Sequence, residues 1–344
     1  MIGHVFGQLN QAIDPNSVDD GDDRDWVWAC RAACETLASG LRRGAGGIGF
    51  EHASDVRLLV LSIANTAPRQ PEMTDFEQRF AKEPFFAAQG TLRGLAVELC
   101  IFLMFWLSKD PSSAFGTFPR QTLSNFPEIR TILETELADR SANGRIPYAI
   151  MGSHLRHLLY FGEDWLMPRM KLLFPADDDA LRQAAWLSYL GFGQRVLKDV
   201  VPDLHDCYAE EIARSSAPEK HSGRDFRQDS LCQHLVILHL WGGLPNDLLE
   251  QFWHEASTSM RRYAMWYLGT QLDLPSASLP DEMRSRGLSY WDRRLAAAIA
   301  APDPEPFRTE LGALGQWCVR RQIDDQWLLT QLSKLLRCGH VYGL

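Results

Sequence analysis

Apolar residues along this chain recur three and four positions apart almost from end to end. Val27, Cys30, Cys34, Leu37 and Leu41 form one stripe, Met151, Leu155, Leu158 and Leu159 another, and Leu231, Leu235 and Leu238 a third. That spacing is the period of an α-helix with one buried face. No long stretch alternates apolar with polar positions, as a half-buried strand does. Asn143-Gly144 would signal a hairpin between strands. Helical patterns flank it on both sides, so it reads as a helix connection. The pattern predicts an all-α protein of about fourteen helices joined by short polar turns.

Local signals place helix ends. Gly44 follows Arg42-Arg43, a cationic last turn before a glycine stop. Asp177-Asp178-Asp179 precedes one periodic run and Asp324-Asp325 precedes another, both able to cap a first turn. Two proline-bearing breaks interrupt the pattern, at 68–84 and 110–127, and a polar stretch covers Ser215–Gly223. The second break is the stronger boundary signal. It predicts an N-terminal helical block at 1–110, a linker at 111–127 and a C-terminal block at 128–344. The most apolar run, Leu95–Leu107, contains Glu98 and falls short of the about 20 residues that span a bilayer. It reads as a buried core helix, with no membrane partner.

Weak internal similarity suggests how the helices stack. Trp186-Leu187-Ser188-Tyr189-Leu190-Gly191 resembles Trp266-Tyr267-Leu268-Gly269, 80 positions later. That is two units of about 40 residues, the period of HEAT-type helical hairpins. Asp164-Trp165-Leu166 likewise resembles Gln326-Trp327-Leu328, and eleven tryptophans are large enough to wedge successive hairpins together. One amphipathic hairpin cannot cover its own apolar face, so stacked neighbours bury it. The expected architecture is a HEAT-like, right-handed α-solenoid.

Several stretches carry a wider resemblance. They are Leu92-Arg93-Gly94-Leu95-Ala96, Ile146 through Gly152 to Phe174-Pro175, and Ala185-Trp186 through Tyr208. They continue with His234 through Gly243, Tyr263 through Leu272, and Trp291-Asp292-Arg293-Arg294-Leu295 through Trp317 and Trp327. In these the chain resembles the C-terminal helical-repeat region of large bacterial antiphage-defence ATP-binding proteins, the STAND-like NTPases and sirtuin-domain proteins. The resemblance implies a module that recognises phage components or holds an assembly together, while a separate N-terminal domain carries the chemistry. That effector and nucleotide-binding region has no counterpart here, which implies a fragment or a stand-alone gene for the helical part. The resemblance transfers no active-site residue.

Charge and cysteine content narrow the partners. Of 344 residues, 35 are Lys or Arg and 44 are Asp or Glu, a net charge of −9. Duplex-binding domains carry a basic surplus, so the balance opposes nucleic acid. Seven cysteines is an odd number in a long chain, which argues against a disulfide framework. No Lys or Arg precedes Arg24 and no apolar signal core follows the N-terminus, so a reducing cytoplasm is the expected compartment.

Candidate chemistry is sparse. Gly44, Gly46 and Gly49 satisfy G-x-G-x-x-G, but a helix precedes them where a dinucleotide site needs a strand. No P-loop motif occurs. Cys30 and Cys34 lie on the apolar stripe and read as core. The run 19–25 has too few correctly spaced carboxylates for an EF-hand and reads as a solvated loop. Cys232 and His239 share a helical bearing, whereas His234 points well away, so a zinc site there would need Cys207 and His205 as well. His154 and His157, with Glu163-Asp164 close behind, would suit a metal or a general base. Four Arg-Arg pairs occur, at 42–43, 261–262, 293–294 and 320–321. Aromatic residues flank two of them, which makes Arg261, Arg262, Tyr263, Trp266, Trp291, Arg293 and Arg294 the candidate partner-binding surface. The reading is a non-catalytic protein-recognition or scaffold module of a bacterial antiviral defence system, with no cofactor. Its protein partner would be a co-encoded ATPase or a phage component. The alternative is a metal-dependent enzyme using His154, His157 and the Cys207, Cys232 and His239 region.

Overall fold

The computed structural model describes residues 24–42, 47–109, 122–192, 196–215, 226–274, 279–320 and 322–337, and those residues form no β-strand. The protein is all-α. Sixteen helices of six residues or more carry the described chain, with single turns at Met170–Leu173 and Leu314–Trp317, against about fourteen expected. Part of the excess comes from the break at 68–84. Phe76 and Phe80 sit four apart and both bury, which pulls Phe76–Lys82 into a helix. Pro84 then opens the next helix at its first turn, where proline removes no hydrogen bond.

The chain divides into two compact units, Met1–Tyr189 and Leu190–Leu344. The division falls inside a helix and not in the expected linker at 111–127. Residues 111–121 lie outside the described residues. Those that follow are packed: Leu123 and Phe126 are buried, Asn125 accepts from the Thr122 N–H at 2.9 Å, and Pro127 starts a helix.

The first unit holds α1 (Arg24–Arg42), α2 (Ala53–Thr66), α3 (Phe76–Lys82), α4 (Pro84–Gln89), α5 (Leu92–Leu107), α6 (Pro127–Leu137), α7 (Arg145–Ser153), α8 (Leu155–Leu166) and most of α9 (Asp179–Phe192). Its centre is α5, the apolar run predicted as a core helix. Thr91 caps it, accepting from the Gly94 N–H at 3.0 Å. α1, α2, α4, α6 and α7 all pack on α5, so thirteen of its sixteen residues are buried. A helix apolar all round is stable only when surrounded in this way. Among the described residues no helix is long and apolar enough to cross a membrane. Arg93 opens α5 as a buried cation, answered by Glu136 at the end of α6 (Nε to Oε2, 2.8 Å) and by Asp139 (2.6 Å).

The second unit holds α10 (Val201–Arg214), α11 (Phe226–Trp241), α12 (Asn246–Glu255), α13 (Thr258–Leu272), α14 (Asp281–Ala300), α15 (Glu305–Leu311) and α16 (Asp325–Arg337). Here helices pack on the next but one: α10 on α12, α11 on α13 and α13 on α15. Trp291, Trp317 and Trp327 cluster with ring centroids 5.3–6.4 Å apart. The Trp317 indole donates to the Met265 carbonyl at 3.1 Å and lies across Gly269, where a Cβ would come within 2.3 Å of it. Gly269 thus makes room for a tryptophan. Gly191 has no such neighbour, and Trp186 is buried while Trp266 is half-buried. The 80-residue similarity therefore joins two segments that do different packing work.

Candidate functional site

The only buried carboxylate within the apolar run is Glu98, in the middle of α5. A carboxylate taken out of water needs hydrogen-bond donors. Three elements supply them. Gln89, the last residue of α4, donates through Nε2 to both carboxylate oxygens at 3.0 and 3.2 Å. His154, at the junction of α7 and α8, brings Nε2 to 3.1 Å. Arg42, in the last turn of α1, stands 3.9 Å away with its guanidinium over the Phe102 ring. Burial alone would raise the Glu98 carboxyl. The bonds from His154 and Gln89, with the charges of His154 and Arg42, outweigh it and hold the group below the usual carboxylate range.

His157, in the first turn of α8, extends the chain of contacts. Its Nδ1 lies 2.9 Å from Nδ1 of His154, with Phe102 and Phe105 edge-on to the two rings. An ionised carboxylate only accepts, so His154 Nε2 carries a proton. One proton then lies between the two Nδ1 atoms. With His154 neutral, His157 donates it; with His154 an imidazolium, His154 donates it. Two doubly protonated rings would set N–H against N–H across this contact. The arrangement can pass a proton between Glu98 and His157.

This geometry also answers the metal reading. Glu98 and His157 contact opposite nitrogens of His154, so the three groups form a line and do not surround a point. In the second unit Cys232 Sγ donates to the Met260 carbonyl at 3.5 Å, and His239 Nε2 donates to the Arg286 carbonyl at 3.1 Å. His205 instead pairs with Asp247 at 2.7 Å. Among the described residues no three His, Cys, Asp or Glu side chains are grouped to hold a metal ion. Burial pushes the Cys34 and Cys100 thiols up to about 12 and Cys232 well above its ordinary value, so these three are poor nucleophiles.

Beside Glu98 the surface opens into a cleft of about 1470 Å³ between α1, the 72–79 segment and α4. Arg42 and Gln89 line it while reaching back to Glu98. Trp28 on α1 is 67% exposed and Phe86 on α4 is 50% exposed, and both line the cleft. Two of its other cations are paired locally, and Glu72 accepts from the Leu92 N–H at 3.2 Å. Arg31 pairs with Glu35 at 3.1 Å and donates to the Gly90 carbonyl, and Arg79 pairs with Asp75 at 2.6 Å.

Three of the seven residues expected to form a surface in the second unit, Arg261, Trp291 and Arg294, are interior. Trp291 is fully buried and donates to Gln331 Oε1 at 3.3 Å. Arg294 is buried in a two-pronged pair with Glu310, both bonds 2.7 Å, and Arg261 closes on the same carboxylate at 3.4 Å. Those three side chains hold α13, α14 and α15 together and are not available to a partner. Arg262 and Arg293 are exposed, Tyr263 and Trp266 half-buried. Arg293 lies over Trp253 and pairs with Glu250. Tyr263 accepts from Gln233 at 2.7 Å. Arg43, Gly44, Gly46 and Arg321 lie outside the described residues, as do the acidic run at 19–23 and most of the 215–223 stretch.

Sequence reasoning singled out His154 and His157 but paired them with Glu163-Asp164. Their carboxylate is Glu98, 56 residues earlier. The available signal was Glu98 itself, a lone charge inside an apolar run. The fold and site together define an all-helical protein with an open cleft backed by a buried carboxylate–imidazole chain. Comparison with protein-family models, with curated proteins and with solved structures gave no match.

Proposed function

We propose that this chain is a non-catalytic recognition module that captures a segment of a protein partner in the cleft of the first unit. The reading keeps the expected function class and moves its surface away from the arginine pairs. The observation that carries it is Trp28 of α1 and Phe86 of α4 standing exposed in the lining of an open cleft that Arg42 also lines. Tryptophan and arginine are the residues on which binding energy concentrates at interfaces. The lining carries both signs, Arg31, Arg42 and Arg79 with Glu35, Glu72 and Asp75, which suits a segment with one apolar anchor flanked by both signs.

The context implied by the sequence resemblance is bacterial antiviral defence in the cytoplasm. The stacked-hairpin part of that resemblance rests on the second unit, where helices pack on the next but one. Pull-down with the full chain against phage structural proteins and a co-encoded ATPase tests the proposal. Wild type retains a partner, and Trp28→Ala with Phe86→Ala releases it. Retention unchanged in that double variant, or no retention across the panel, overturns the reading.

A further inference from the structure

We propose that in the free chain the cleft of the first unit is occupied by the protein's own N-terminal segment, residues 2–13, folded back along α1. The inference concerns the chain without a partner and so goes beyond the recognition reading above.

The occupant is read from its sequence. Ile2, Val5, Phe6, Leu9 and Ile13 all fall within an arc of about 100° when residues advance by 100° each. His4, Gln8, Asn10 and Gln11 fall on the opposite side. Gly3 and Gly7 each cost such a helix about 1 kcal/mol, and at this length it is marginal by itself. It forms only against a surface that takes its apolar face.

The cleft offers that surface within reach. Val27, Trp28, Met73 and Phe86 give it an apolar lining. Residues 14–23 join the segment to Arg24, where α1 begins. A flexible connection of that length spans about 17–19 Å, enough to reverse direction and set Ile13 beside Val27 and Trp28. From Val27, α1 lines the cleft as far as Arg42, about 22 Å along its axis. Residues 2–13 as a helix are about 18 Å long, so antiparallel to α1 they fill most of that length. Tethering raises the segment's local concentration into the millimolar range, so a weak contact suffices.

Charge agrees with this occupant. Arg31 is paired with Glu35, Arg79 with Asp75, and Glu72 accepts from the Leu92 N–H. An occupant without side-chain charge leaves these contacts intact, and residues 2–13 contain no Asp, Glu, Lys or Arg. Asp14, Asp19, Asp20, Asp22 and Asp23 lie in the connection, and the last of them adjoin the first turn of α1, where a helix favours negative charge. The same aspartates, with no Lys or Arg before Arg24, oppose an anionic membrane as the alternative cover for the segment.

Hydrogen exchange of the full chain, read by mass spectrometry with no partner present, tests the proposal. Amides of residues 4–13 are expected to exchange about tenfold or more slowly in wild type than in Phe6→Asp with Leu9→Asp. Trp28→Ala with Phe86→Ala, which alters only the cleft, gives the same loss of protection. Both of its positions are exposed, so that variant keeps the wild-type melting temperature. The protection is unchanged on tenfold dilution, as a contact within one chain requires. Exchange of residues 4–13 at unstructured rates in wild type overturns the proposal. So does protection that survives the cleft variant, or protection that falls on dilution and so comes from a second copy. Because no partner is in the measurement, a failed pull-down leaves this inference standing, and its own failure leaves the recognition reading untouched.

Discussion

The first unit gathers its helices round one apolar helix, whereas in the second α10 packs on α12, α11 on α13 and α13 on α15, each on the next but one. Both hide arginines, and they do so in opposite balance. In the first unit one cation, Arg93, faces two carboxylates, Glu136 and Asp139, near the ends of their helices. In the second, one carboxylate, Glu310, is fully buried between Arg294 and Arg261. At the start of α5 the carboxylates that answer Arg93 keep some access to water, whereas where α13, α14 and α15 meet Glu310 has none. The two units should therefore fail differently: the first through loss of carboxylate charge, the second through loss of a single carboxylate side chain.

The largest expected effect is in the second unit. Glu310→Ala leaves two guanidinium groups side by side without their anion, at a cost of about 3–5 kcal/mol. Arg93→Ala falls at the lower end of that range, because Asp139 keeps some access to water. Urea unfolding of the two variants ranks them, and the reverse ranking would break the comparison. Gly269→Ala follows. Its added methyl meets the Trp317 indole, which is itself hydrogen-bonded and packed on two other tryptophans, so about 1–3 kcal/mol of overpacking is expected. Retention of the wild-type melting temperature would show that the tryptophan cluster yields.

Acid sharpens the contrast. Burial works against the Asp139 carboxylate, but bonds from Ser141 and Arg93 and the Arg93 charge lower it from 3.8 to about 2. The folded state therefore holds that proton less tightly than the unfolded state. Its contribution is fully present above about pH 4 and is lost as pH falls through about 2. Asp139→Asn should lower the urea midpoint at pH 5 and flatten its decline towards pH 2.5. An equally steep decline in the variant would assign the acid sensitivity elsewhere. The smallest effect belongs to Arg293→Ala. Its pair with Glu250 is solvent-exposed, worth about 0–1 kcal/mol, although its sequence neighbour Arg294 is buried.

Much of this was legible locally. The stripe from Cys30 to Leu41 packs as a helix face, Leu95–Leu107 lies inside the core helix, and Asp324 caps the helix it precedes. Each of these is decided within a few turns of chain. The Arg293-Arg294 pair was not legible, because adjacent helical residues point about 100° apart and nothing in the pair says which one turns inward. Nor was the site. Glu98 and His154 are far apart in sequence, and residues between α5 and the junction of α7 and α8 carry no mark of their meeting.

The order of residues alone thus determined that this protein is helical, which segment is apolar enough to be surrounded, and where charge must sit near helix ends. Tertiary structure alone decided that Arg261, Trp291 and Arg294 are interior, that His154 answers Glu98, and that the chain divides at Tyr189. The physical reason is one of range. Periodicity states which face of a helix avoids water, but what covers that face is set by helices distant in the chain, and only their packing chooses it.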